Sequence, residues 1–365
     1  MHGVGSSPPQ SSVSSILSHI IDQNMALSNT HTNSNSNSNE NANALPAASD
    51  EMEVLTNAFS GFGVDEKSMV SILGKWHPEQ RKSFRKGTQF FLQDERLFER
   101  WIDRHVEQLK HEFLRLKSAV VLWTMHPWER DARLMRDAVI DGPKSYNVVI
   151  EIACTRSSEE LLGARRAYHS LFDRSVEEDI AYNAEGAERK LLVALVSSYR
   201  YEGPRVHEDT AKSEAKTLSS AIKNAQKKNP MEDEEVVRIL STRSKLHLKS
   251  VFKHCKDISG KTLDEDVVAP SSLKHTVQCL SVPHTYFVKV LDAAMNPGAD
   301  ENTKEGLTRV IVTRADVDMR VITEAYHKQN GVALNQKIEQ IAKGSFKDFL
   351  QTLLARGGGS IQLKK

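Results

Sequence analysis

The chain has 365 residues, 39% of them hydrophobic and 27% charged, and its 49 Lys and Arg against 48 Asp and Glu leave a net charge of +1. This is the composition of a soluble globular protein with one large or two to three ordinary domains, and a balance so near neutrality excludes a nucleic-acid footprint. Three scattered cysteines (Cys154, Cys255, Cys279) with no CxxC pair argue against a disulfide framework and for a reducing compartment. No run approaches the roughly 20 apolar residues that span a bilayer. The longest, Ser118 to Met125, is of core length, and no basic-then-apolar secretory signal opens the chain. Any membrane contact is therefore expected to be peripheral.

In chain order, residues 1–50 come first. They hold three acids (Asp22, Glu40, Asp50) and no Lys or Arg, so the remainder is net +4. Asn29 to Asn43 alternates Asn with Ser and Thr and has almost no apolar surface to bury, which predicts a disordered tail. From Glu51 on, apolar residues recur at helical spacing, as in Met69-Ile72-Leu73, Leu191-Leu192-Leu195-Val196 and Phe346-Phe349-Leu350-Leu353. β-branched alternation is scarce, so the body is predicted to be all-α.

The helical text repeats. Thr-Arg follows an apolar helical stretch at Thr155-Arg156, Thr242-Arg243 and Thr313-Arg314, and a weaker copy places Trp76 in the Arg slot. Tyr168 and Tyr326 stand twelve residues after Arg156 and Arg314, and Cys255 twelve after Arg243. Each unit opens with a helix ending in a small-apolar pair (Ala58-Phe59, Ala138-Val139, Ala221-Ile222, Ala294-Met295) and closes with a strongly apolar helix. A unit of this size holds about five short helices. The units are expected at 51–130, 131–202, 203–284 (with its preceding linker through Gly203-Pro204) and 285–356, followed by a flexible end at 357–365.

The opening Ala58-Phe59-Ser60-Gly61-Phe62-Gly63-Val64-Asp65-Glu66, then an apolar helix and Gln80-Arg81, resembles the first repeat of an annexin with its GxGTDE loop. The Thr-Arg anchors fit repeats two to four, and Trp128-Glu129-Arg130-Asp131-Ala132-Arg133-Leu134 looks closest to the plant branch. The resemblance covers residues 51–356. It implies four repeats of about five helices packed as a compact, slightly curved disc, and calcium-dependent binding to acidic phospholipid membranes as a peripheral protein.

Calcium takes six to eight oxygens, often backbone carbonyls with a carboxylate, and a Gly-x-Gly loop can turn successive carbonyls toward one point. In this family the loop is joined by an acid about 40 residues downstream. The resemblance thus implies metal ligation by the carbonyls of Phe59, Gly61 and Gly63 with the carboxylate of Glu112, which lies 15 residues before Pro127. The gap from Gly61 to Glu112 is about nine residues longer than the family spacing, and the surplus is assigned to Gln89 to Trp101. Val64 replaces the family Thr without removing a carbonyl. Phe62 and Val64 are expected at the loop tip, touching the membrane.

The other loops have decayed. Asp141-Gly142-Pro143-Lys144-Ser145 replaces the glycine pair in the second unit, with Asn183 in the capping position, and the third unit has no glycine there. The fourth keeps Gly298, Asp300 and Glu301 as a weaker metal site, although Ile341 stands in the capping position. His111-Glu112 begins like HExxH, but the fifth residue is Arg115, which removes the second zinc ligand. There is no GxxxxGK[ST] phosphate loop and no visible nucleophile–base set, so no enzymatic activity is expected. His77, near the place where plant-type relatives carry a His linked to proposed peroxidase activity, is out of register.

Two readings follow. The first is a cytoplasmic protein reversibly attached by Ca2+ to the plasma membrane or other membranes, the plant resemblance suggesting stress responses. The alternative is a calcium-insensitive helical scaffold that binds actin or other proteins. A monomer is expected in either case.

Overall fold

The computed structural model describes residues 49–73, 76, 78–93, 99–267 and 271–358. Of the predicted tail at 1–50, residues 1–48 lie outside the described residues and Ser49 and Asp50 open a helix instead; of the predicted end at 357–365, residues 357 and 358 close a helix and the rest lie outside, as does His77. What is described is mostly helical, as the periodicity predicts.

The second unit, expected from residue 131, shows how the sequence builds each helix, although its first helix starts four residues earlier. Helix α5 (Pro127–Asp141) starts on a proline whose missing N–H costs nothing in the first turn, and it ends at Gly142, whose φ of 81° an L side chain rarely adopts. Helix α6 (Tyr146–Thr155) is buried along most of its length. Helix α7 (Ser158–Phe172) opens with a capping box: Glu160 N–H donates to Ser157 Oγ, and Ser157 N–H donates to Glu160 Oε2 at 2.7 Å. Helices α8 (Val176–Asn183) and α9 (Gly186–Ser197) complete the unit, with Gly186 at φ 55° turning the chain between them.

The third unit comprises α10 (Glu208–Lys223), α11 (Glu234–Thr242), α12 (Lys245–Ser259), the short α13 (Leu263–Asp266) and α14 (Ser271–Ser281). The fourth comprises α15 (Pro283–Ala294), α16 (Glu301–Arg314), α17 (Met319–Asn330), α18 (Leu334–Ile341) and α19 (Gly344–Gly358).

The recurring arginines are structural. Arg156 at the end of α6 donates to both oxygens of Asp131 at the start of α5, at 2.6 and 2.8 Å, and both side chains are buried. Arg243 holds Glu214 of α10 with two bonds to the one oxygen Oε1, at 2.8 and 2.6 Å, and His247 takes the other oxygen. Arg314 bonds Asp318 at 2.7 Å and covers the Phe287 ring. Trp76, in the Arg slot of the first unit, donates its indole N–H to Glu51 at 2.7 Å. Cys255 is fully buried in the slot held elsewhere by Tyr168 and Tyr326, and burial raises its thiol above the ordinary range, so it packs rather than reacts.

The first unit is built differently. Helices α1 (Ser49–Ala58), α2 (Glu66–Leu73) and α3 (Pro78–Gly87) are followed by an antiparallel pair, β1 (Phe91–Gln93) and β2 (Glu99–Trp101), in the stretch where the surplus residues fall. Then α4 runs unbroken from Asp103 to Thr124. In the second and fourth units this region is split into two helices, and Gly186 and Gly344 begin the second member with φ of 55° and 54°. The matching position, three residues after Glu112, is Arg115. A left-handed turn costs a non-glycine residue about 1–2 kcal/mol, whereas Arg is among the better helix formers. The helix therefore continues, and among the described residues the first unit has four α-helices and a hairpin where the others have five α-helices.

The first unit also has its own small core. Leu55, Trp76, Phe84 and Phe90 pack together with Phe59 and Trp101 against them, apart from the contiguous core of the other units. Phe62 alone of the first unit's opening loop reaches that larger core.

Candidate functional site

The Gly-x-Gly loop joins α1 to α2. Gly61 and Gly63 have φ of 101° and 77°. Glycine is required twice over, because a Cβ at Gly61 would lie 2.9 Å from the Ile341 carbonyl oxygen and one at Gly63 would lie 2.9 Å from the Lys343 carbonyl oxygen. These approaches arise because the loop is stitched to the turn between α18 and α19. Phe62 N–H donates to the Ile341 carbonyl at 3.1 Å, and Lys343 N–H donates to the Phe62 carbonyl at 2.8 Å. The Lys343 ammonium reaches the Asn57 carbonyl from the same side. Asp65 then caps α2 by accepting from the Ser68 amide and hydroxyl, and those bonds hold its carboxyl below its usual value.

This stitching corrects one expectation. Phe62 and Val64 are not at an exposed tip: they are 6% and 2% exposed. The Phe62 ring lies under the Arg115 guanidinium, 5.0 Å from its centroid, with the Lys304 ammonium at 5.8 Å. A loop hydrogen-bonded along its edge to a neighbouring turn directs its side chains inward, so neither residue is presented to a membrane. Phe59 turns instead into the aromatic cluster, with its ring 5.8 Å from Phe90 and 6.0 Å from Trp101.

Glu112 is 3% exposed on α4, and its carboxylate meets the loop: Gly63 N–H donates to Oε2 at 2.6 Å. Both oxygens are also engaged by Arg115, Oε2 by Nε at 2.5 Å and Oε1 by Nη2 at 2.9 Å. The same Nη2 donates to Glu301 of the fourth unit at 2.6 Å. One guanidinium thus clamps two of the acids expected to hold metal. Burial opposes the charge on Arg115, but Glu112 and Glu301 outweigh it and raise its pKa further. Burial likewise opposes ionisation of Glu301, and Lys304 and Arg115 hold it below the usual carboxylate range.

The fourth-unit residues are otherwise occupied. Asp300 caps α16 by accepting from Thr303 N–H at 2.7 Å, Glu301 bonds Lys304 at 2.9 Å, and Gly298 N–H donates to the Asn296 side chain at 3.0 Å. Among the described residues no group of three or more His, Cys, Asp or Glu gathers where a metal could sit. A calcium site at either loop would thus depend on carbonyls and one carboxylate. At the first loop the donor types fit: glycine-turned backbone with Glu112 against it, provided that Arg115 lets the carboxylate go. At the fourth loop both acids already serve the protein's own cations and helix end, and the donors do not fit.

Arg115 is the residue that sequence reasoning missed. The signal was present: aligning the units by their capping positions places it opposite Gly186 and Gly344, and an arginine in a glycine slot announces both an unbroken helix and a new charge beside the acid.

A family model, Annexin, matches residues 130–195 and 286–353, within the second and fourth units. Annexin D4 of Arabidopsis thaliana is 51% identical over 313 residues, covering 84% of this chain and 98% of that protein. Annexin-like protein RJ4 of Fragaria ananassa is 40% identical over 317 residues, covering 85% and 96%. Among solved structures, chicken annexin V aligns at a TM-score of 0.59 with 25% identity, covering 87% of this chain and 98% of that one. No helix among the described residues is long and apolar enough to cross a membrane. With its repeated helical units and a near-full-length plant relative at this identity, the chain belongs to the annexin family, on its plant-type branch.

Proposed function

We propose that this chain binds acidic phospholipid membranes in a calcium-dependent, reversible and peripheral manner, through the loop at Phe59, Gly61 and Gly63 with Glu112. The observation that carries the reading is the 2.6 Å contact of the Gly63 amide with the Glu112 carboxylate, which joins a glycine-turned loop to a buried acid 49 residues away. Annexins as a family bind phospholipid with calcium, which supplies a cation that protein oxygens and a lipid phosphate share.

In this chain the acid is already compensated. Arg115 must release Glu112 before the carboxylate can serve a metal, and it has somewhere to go, because Glu301 already accepts from its Nη2. The proposal is therefore a competition: Arg115 holds Glu112 at low calcium and retreats onto Glu301 at high calcium. Glu301 acts as a partner of Arg115 rather than as a metal ligand, so the fourth loop adds no second site. Basic side chains on the same face add attraction to an anionic leaflet, about 1 kcal/mol for each one near the surface.

Pelleting of the full chain with phosphatidylserine vesicles tests this. Calcium should bring the chain down and a chelator should release it, while Glu112→Gln loses most of the calcium-stimulated fraction with its helix content unchanged. Binding that ignores calcium would show that basic side chains alone hold the chain to the membrane, and no binding at all would favour the calcium-insensitive scaffold.

A further inference from the structure

A second polar feature stands beside the loop cluster and owes nothing to it. Across the first turn of α16 from Glu301, a cavity of about 300 Å³ opens between the second, third and fourth units. Lys144 comes from the loop after α5, His275 from α14, Lys289 from α15 and Arg309 from α16, and no Asp or Glu lines it. Four basic side chains on four separate elements, with no acid among the lining residues, converge there.

The unpaired charge is that of Lys144 and Lys289, and Lys144 lies near enough to Asp300 to help lower its carboxyl. Arg309 is matched by Glu151, at 3.2 and 3.4 Å. Lys144 and Lys289 make no ion pair among the described residues, and both are exposed at the rim. The field is felt inside: burial, with Lys274 and Lys289 adding to it, holds His275 below its ordinary pKa. Asn147 and Asn302 add neutral donors to the wall, and Asn302 is fixed by a 2.7 Å bond to the Ser145 hydroxyl. Amide and ammonium donors converging from several sides suit an anion with oxygens pointing in several directions. The volume, at the small end of ligand pockets, fits a compact phosphorylated group and not a protein segment or a nucleic acid.

We propose that this cavity binds a multiply phosphorylated polar group, free or as the headgroup of a lipid, without calcium. Asn302 and Thr303 line it while Glu301, the residue before them, meets Arg115, so the cavity lies next to the proposed calcium loop. A headgroup bound there would reinforce membrane attachment, yet the cavity needs neither Glu112 nor calcium.

The test is run on the full chain in chelator, so its outcome is independent of the calcium reading. Inositol trisphosphate is titrated by calorimetry, and phosphatidylcholine vesicles with and without phosphatidylinositol bisphosphate are pelleted in parallel. The wild type and Glu112→Gln should bind alike. The double variant Lys144→Ala with Lys289→Ala, which removes two exposed side chains and leaves the core intact, should bind about tenfold or more weakly. A charge-matched control, Lys216→Ala with Lys328→Ala, should bind as the wild type does. Binding of both probes identifies the phosphorylated group itself as the ligand, and binding of the vesicles alone identifies the lipid. Failure to bind either probe, or equal loss in the control, overturns the proposal.

Discussion

The second unit and the first make the same kind of contact in two ways. In the second, Tyr146, which follows the loop after α5, donates its hydroxyl to the Asn183 carbonyl at the end of α8, 3.1 Å away, so the unit closes on itself. In the first, the corresponding loop donates Phe62 N–H to the carbonyl of Ile341, which occupies the same position in the fourth unit that Asn183 does in the second. The difference traces to one residue type. Gly186 and Gly344 let their helices break, whereas Arg115 carries α4 straight through and leaves the first unit without a closing turn of its own. A repeat that loses its helix breaker can thus complete itself on a neighbour, and the residue that replaced the glycine acquires a new electrostatic role.

The largest expected effect probes the closed unit. Asp131→Ala strands a buried Arg156 and should cost about 4 kcal/mol in urea unfolding. A cost below about 1 kcal/mol would show that this pair does not anchor the unit. Next is the open unit: Arg115→Ala leaves Glu112 buried without its cation and should cost about 3 kcal/mol in chelator. Added calcium should recover more stability in this variant than in the wild type, and equal recovery would separate Arg115 from the proposed site. Gly63→Ala should cost about 2 kcal/mol, because the positive φ and the nearby Lys343 carbonyl both reject a Cβ. The analogous Gly142→Ala has open space around it and should pay only for its backbone angle, so equal losses would erase the proposed difference between the loops.

The third unit adds a pH dependence. Burial alone would raise Glu214, but hydrogen bonds from Arg243, His247 and Arg238 outweigh it and lower the carboxyl below its ordinary 4.5. A depressed carboxylate adds stability that is present above the unfolded value and fades as pH falls through the folded one. The stability advantage of the wild type over Glu214→Gln should therefore shrink from pH 4.5 downward. The smallest effect belongs to the first unit's anchor. Glu51→Ala removes the acceptor of the Trp76 indole and should cost about 1 kcal/mol, well under the loss at Asp131.

Much of this fold is legible in the sequence. Apolar spacing gives the helices, and the Thr-Arg pattern marks the repeats, with Arg156 and Arg243 each holding an acid of an upstream helix while Arg314 turns instead to Asp318. Counting back from Pro127 picks Glu112, whose carboxylate lies against the Gly63 amide. What local reading misses is what one unit does to another. Phe62 and Val64 read as an apolar tip because nothing near them in the chain shows that Ile341 and Lys343 cover them from almost 280 residues away. Arg115 is seen along the chain only as a failed zinc ligand, and its pairing with Glu112 and Glu301 emerges once α4 is known to be continuous and to pack on α16.

The competition for Glu112 is the central claim, and the calcium concentration at half-maximal pelleting with phosphatidylserine vesicles measures it most directly. The account predicts that Arg115→Ala pellets at lower calcium than the wild type, whereas Glu112→Gln fails to pellet at concentrations that saturate both. An Arg115→Ala chain that needs as much calcium as the wild type, or more, would contradict it.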